Sequence, residues 1–211
     1  MDRRMYHLTL LISYLVVVVA SAIKPWLLRI WPLEMLPVLI ALVILIWTYK
    51  RFTFTDLTYI MLWIGGISVA VGAHFTYEQM PLFDWIRDVL HLARNDYDRF
   101  GHVVKGISVA LFIRELLVRT SGIRYGFWLQ TATVGITLGI AAIYELVEFT
   151  GAKLLGHSAD EFLGLQGDIW DTQWDMLCSL IGAGIALLLF SRLQDRQINK
   201  QTDWNTPASR K

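Results

Sequence analysis

Six apolar runs constrain this chain more than any motif in it. They cover roughly residues 7–23, 32–49, 56–75, 102–118, 125–149 and 170–191. Each approaches the ~17–25 residues that a helix needs to cross the hydrocarbon core of a bilayer. Lipid offers no water to backbone amides, so only helices and closed barrels span it, and these runs lack the period-2 alternation of barrel strands. The pattern predicts an all-α, polytopic membrane protein. Six transmembrane helices form one domain over residues 1–192, and a polar, poorly ordered cytoplasmic tail follows over 193–211.

Composition agrees where it bears on class. Hydrophobic residues make up 55% of the 211, and charged residues only 18%, below the ~25% of soluble domains. The formal net charge of +1, with no basic helix or RNA-binding signature, argues against a nucleic-acid binder. Cys178 is the only cysteine, so no intrachain disulfide exists and redox compartment cannot be read. Glycines such as Gly106 and Gly182 permit close helix approach.

The first run offers two readings. Arg3 and Arg4 precede it, and Ala20-Ser21-Ala22 ends it in a signal-peptide cleavage pattern. Lys24 and Trp26 follow at once as interface anchors would, which favours an uncleaved first transmembrane helix. Of the 19 Lys and Arg, twelve then fall on the side of the two termini and seven on the other. The more basic side is cytoplasmic by the positive-inside rule. The expectation is a bacterial inner-membrane protein with both termini in the cytoplasm.

Polar residues gather towards the opposite, outward side. The stretch PLFDWIRDVLHLAR has apolar residues at 82, 85, 86, 89, 90 and 93, a helical stripe that predicts an amphipathic surface helix. His74 ends the third run; Asp98, Arg99 and His102 open the fourth; Glu145 and Glu148 close the fifth; Asp168, Asp171 and Asp175 open the sixth. Spacings of 3, 4 and 7 place such residues on one helix face. Carboxylates inside a membrane segment are expensive and usually meet partners in a bundle interior. The pattern predicts an outward-opening pocket. Glu145, Asp171 and Asp175 are its catalytic candidates. His74, His102, Glu145, Glu148, Asp168, Asp171 and Asp175 are candidate ligands of a divalent metal ion, a donor set suited to a hard or borderline cation.

Simpler readings stand beside these. Asp168 follows Gly167 and suits a helix cap. Asp98 and His102 suit a local i,i+4 pair. Arg114 and Glu115 read as an ordinary interface pair, and ionisable residues thin out in the inner halves of the third to sixth runs.

NDYDRFGH, YELVE, GAHFTYEQMPL and ADEFLGLQGDIWDTQWDM resemble the signature of the YjdF-type inner-membrane proteins of bacteria, over roughly residues 30–195. The placing of Asp and His at the start of one helix, with Glu and Asp on later ones, is also similar to VanZ-like membrane proteins. The resemblance implies a fold and a location and brings no reaction with it. Function must then come from the site. A metal-dependent enzyme acting on a lipid or lipid-linked phosphate is the first reading. HExxH, a serine nucleophile elbow and a phosphate-binding glycine loop are all missing. The second reading is a non-catalytic structural or regulatory membrane protein. A proton- or cation-coupled transporter is the third, disfavoured by the lack of visible inverted repeats.

Overall fold

A computed structural model describes residues 2–155 and 166–205. The described residues are helical and contain no strand. The helices are α1 (Arg3–Ser21), α2 (Trp31–Thr48), α3 (Asp56–Phe75), α4 (Pro81–Leu90), α5 (Tyr97–Thr120), α6 (Phe127–Leu155) and α7 (Asp171–Ile185). A π-helical turn, Ala186–Phe190, joins α7 to α8 (Ser191–Asn205). The tail expected after residue 192 is therefore helical through Asn205, and residues 206–211 lie outside the described residues. Gln194 and Ile198, one turn apart, are buried on the inner face of α8, which is why this polar segment stays docked.

Local sequence explains the helix ends. Thr55 caps α3 by accepting the N–H of Thr58 at 3.3 Å. Proline stands at the start of α2 and of α4, where no amide donor is missed. Thr76 and His91, at φ 55° and 52°, end α3 and α4 in the left-handed region.

Five helical stretches are long and apolar enough to cross a bilayer: α1, α2, α3, Phe127–Lys153 of α6, and Asp171–Gln201. The sixth expected span lies in α5, which is long enough but carries Asp98, Arg99, Lys105, Arg114, Glu115 and Arg119. Its charges turn inward. Helix α5 packs against α3, α6 and α7, and His102, Arg114 and Glu115 are buried. Elsewhere the chain is apolar outside: Val16, Val43, Ile143, Leu146 and Leu188 are all exposed. Lipid is as apolar as those side chains, so close packing and polar contacts have to hold the helices together.

The closest approach is between α5 and α7. A Cβ on Gly106 would sit 2.2 Å from the carbonyl oxygen of Ser179, and one on Gly182 would sit 2.2 Å from that of Val103. Only glycine fits at either position. This contact sets α5 and α7 backbone to backbone and brings His102, Asp175 and Ser179 into one layer.

Candidate functional site

The site lies at the end of the bundle where α3 finishes and α5 and α7 begin. Asp98 and His102 project from the first turns of α5, Glu145 and Glu148 from the later turns of α6, and Asp171 and Asp175 from the start of α7. Asp98, His102 and Asp175 each offer a ligand atom within 4.8 Å of the others'. His102 Nε2 lies 3.5 Å from Asp98 Oδ1 and 3.7 Å from Glu145 Oε1. On its other side the ring is tied down, with Nδ1 3.3 Å from Ser179 Oγ. Nε2 is thus the nitrogen that faces the carboxylates.

Two oxygens in this layer stand out. Asp175 Oδ1 and Glu145 Oε1 are buried and receive no hydrogen bond from the described residues. A buried acceptor left unsatisfied costs about 1–3 kcal/mol, more when charged. The cation nearest to them is Lys105, whose Nζ lies 2.8 Å from His102 Nε2 and over the rings of Tyr77 and Tyr144 at 5.5 and 4.9 Å. Glu148 is half-buried and within electrostatic range of Glu145, Asp98, Lys105 and Asp175.

The remaining expected residues have other partners. Asp171 is buried and paired with Arg94, from the loop before α5. Burial, the largest single influence, would lower the Arg94 guanidinium, but the hydrogen bond to Asp171 together with the charges of Asp171, Asp98 and Asp175 outweighs it and pushes its pKa up. Asp168 does not cap α7 itself. It closes the turn before it, accepting the N–H of Trp170 at 2.9 Å, and it pairs with Arg99 at 2.5 Å. Those two contacts, the backbone one first, hold its carboxyl below the usual aspartate range. His74 does not enter the cluster: its Nδ1 lies 3.0 Å from the carbonyl oxygen of Ser21, joining the ends of α1 and α3. Arg114 and Glu115 do not form the expected pair either. Arg114 reaches Asp195 at 2.6 Å, and Glu115 pairs with Arg119 at 2.8 Å.

Glu34 joins the site unannounced by its sequence context. It sits in the first turn of α2, is 5% exposed, and has Oε2 without a hydrogen bond among the described residues. Asp98 and Lys105 lie within its electrostatic range. Following Pro32 at a helix start, it reads as a dipole-complementing acid, and no local pattern aims it at α5. Asn95 is the loop counterpart. Fully buried, it donates through Nδ2 to Met80 O and Asp84 Oδ1 at 3.1 and 3.0 Å, and its backbone pairs with the Gln166 side chain. It fixes the loops around the pocket. Residues 159–164, ADEFLG, lie outside the described residues.

Fold and site together define an all-helical, multi-pass membrane protein with a buried acidic and histidine-bearing layer. The chain belongs to the family described as "Predicted membrane protein (DUF2238)", which matches residues 6–196. It is 38% identical over 170 residues to "Inner membrane protein YjdF" of Escherichia coli (strain K12), covering 81% of each chain. No solved structure matches it. The YjdF-type resemblance read from the motifs and the inner-membrane location are thereby shown.

Proposed function

We propose that the layer around His102 is a divalent-metal site of an inner-membrane protein acting on a lipid or lipid-linked phosphate. The observation that carries this reading is the pair of buried oxygens without a donor among the described residues, Asp175 Oδ1 and Glu145 Oε1, beside a histidine whose far nitrogen is held by Ser179. Metal-binding histidines are commonly oriented by such a contact. Two ligand atoms about 2.1 Å from one ion are at most ~4.2 Å apart. The separations among Asp98, His102 and Asp175, within 4.8 Å, close to that by small side-chain rotations once Lys105 swings aside. Bound there, an ion would polarise a phosphoryl oxygen or activate a water. Glu145, Asp171 and Asp175 remain the catalytic candidates, with Asp171 positioned by Arg94.

The same reading takes α5 as a sixth span, both termini as cytoplasmic, and α4 as a helix on the outer surface. Phe83 of α4 packs on Tyr97 and Phe100, with ring centroids 5.2 and 5.4 Å apart. Leu82, Trp85 and Val89 stay exposed, as an interfacial helix requires. Reporter fusions after Arg51 and after Arg119 should read cytoplasmic, and one after Lys153 periplasmic. A periplasmic signal after Arg119 would remove the sixth span.

The metal reading is tested by elemental analysis of detergent-purified protein, wild type against Asp175→Asn and Glu145→Gln. Loss of a stoichiometric metal with folding retained is expected. Wild-type protein that holds no metal after incubation with Zn2+ or Mn2+ would sink it. Lys105 supports a second reading, a structural network in which its ammonium is the permanent cation. The transporter reading is weaker. Ionisable groups do occur in the inner half of the bundle, contrary to expectation. Between Lys105 and Arg114, however, α5 carries none, over roughly 13 Å of helix, and Gly106 and Gly182 close that gap.

A further inference from the structure

A second cavity, unrelated to the metal reading, lies at the other end of the bundle between α1 and α2, with α3 as its floor. Its volume is about 360 Å³, within the ~300–1,000 Å³ range of small-molecule sites. Its lining is graded. Arg4, His7, Tyr49 and Tyr59 stand at the end near the chain's start, and Leu11, Leu42 and Trp63 line the part nearer the middle of the bundle. From Arg4 to Tyr14, the innermost polar residue, α1 rises roughly 15 Å. That is half of the ~30 Å hydrocarbon core, so the groove is one leaflet deep.

The polar end has donors to spare. Arg3 is committed to Asp56 at 2.7 Å, whereas no carboxylate among the described residues lies within ion-pair distance of Arg4. Tyr59 accepts the N–H of Phe54 at 3.4 Å, which leaves its own proton to donate. His7 is held between Tyr49 and Asp56, each at 2.8 Å. At the inner end the Tyr14 hydroxyl is buried, with the residue 5% exposed, and has no hydrogen-bond partner among the described residues. A positive, donor-rich mouth over an apolar channel one leaflet long complements a phosphate on a hydrocarbon tail.

We infer that this groove binds one acyl chain of an anionic glycerophospholipid, its phosphate against Arg4 and Tyr59 and its tail running towards Tyr14. Ala41, in the groove wall, allows the channel to be blocked without touching the polar end. The test is native mass spectrometry of the detergent-solubilised full chain titrated with dioleoyl-phosphatidylglycerol, dioleoyl-phosphatidylcholine or inorganic phosphate. Wild type should retain one phosphatidylglycerol in preference to phosphatidylcholine. Arg4→Ala should reduce that preference about fivefold, and Ala41→Trp should abolish retention of both lipids, with helicity checked by circular dichroism. Equal retention by wild type and folded Ala41→Trp overturns the inference. So does displacement by inorganic phosphate alone, or a lipid-free dimer in place of the one-to-one complex. Should Ala41→Trp not fold, the lipid preference of Arg4→Ala decides alone, and an unchanged preference overturns the assignment.

Discussion

Helix α5 carries two buried polar layers that behave differently. At its last turns, the fully buried Glu115 carboxylate is saturated. It accepts the Thr55 N–H at 2.9 Å, the Thr55 and Thr58 hydroxyls at 2.7 and 2.6 Å, and Arg119 at 2.8 Å. Gln194 of α8 adds a second tier, donating to Thr58 Oγ1 and to the Leu111 carbonyl. At the first turns of α5, Asp98, His102, Glu145, Asp175 and Glu34 gather around the Lys105 ammonium, with Arg94 and Arg99 also in range of Asp98, and three of their oxygens go without a donor among the described residues. Both layers bury carboxylates, and only the Glu115 carboxylate is fully satisfied. A saturated network specifies packing and leaves nothing over for a ligand. An unsaturated one at the same burial stores a penalty that a bound cation would relieve.

The comparison breaks most visibly at Glu115. Replacing it with Leu should remove about 3–5 kcal/mol of stability, because the buried Thr55 N–H and the Thr55 and Thr58 hydroxyls lose their acceptor and the half-buried Arg119 its counter-charge. Thermal unfolding in detergent reads this, and a variant as stable as wild type would show that the saturated layer is not structural. Asp175→Asn in EDTA should stay within about 1 kcal/mol of wild type, or rise, since one unsatisfied charge is removed. A loss as large as that of Glu115→Leu would make the two layers alike and favour the structural reading of both.

Lys105→Ala sharpens the contrast. If the ammonium stands where a metal would go, its removal should tighten divalent-ion binding by about tenfold in a calorimetric titration. Unfolding instead, with no metal bound, would make Lys105 the layer's permanent cation. The smallest effect belongs to Asp168, at the rim. Its folded pKa is depressed, so its contribution to stability is present above the ordinary aspartate value of ~3.9 and lost as pH falls through the lower folded value. Wild type should be slightly more stable than Asp168→Asn at pH 7, and the two should converge in acid below that value. A gap that persists there would mean the contact with Arg99 is not ionic.

Much of this architecture is local and therefore legible. A span must bury its own backbone hydrogen bonds, so each apolar run of sufficient length declares a helix without reference to its neighbours. Three of the six runs match described helices closely, among them 56–75 as Asp56–Phe75, and the run at 125–149 continues to Leu155. The run at 102–118 extends to 97–120, and that at 170–191 continues into α8. Helical spacing also put Asp98 and His102 on one face, and Asp171 with Asp175 on another. Alternating helix direction then sent both faces, with Glu145, to the same end of the bundle.

Which acid meets which partner was decided only by the tertiary contacts. Nothing near Glu34 in the chain points to Asp98, 64 residues on. His74 is spaced like a pocket residue, and the docking of α1 takes its ring to Ser21 instead. Asp171 and Asp175 share a face, yet Arg94 from a loop saturates one and leaves the other exposed to the cluster. Arg114 and Glu115 are adjacent in sequence and so project to different sides of α5, one towards α8 and the other towards α3. The physical reason is the same in each case. Hydropathy and periodicity depend on residues within a few turns, whereas hydrogen-bond saturation depends on donors from other helices. Here their distance is set by one contact, the glycine-to-backbone approach of α5 and α7 at Gly106 and Gly182.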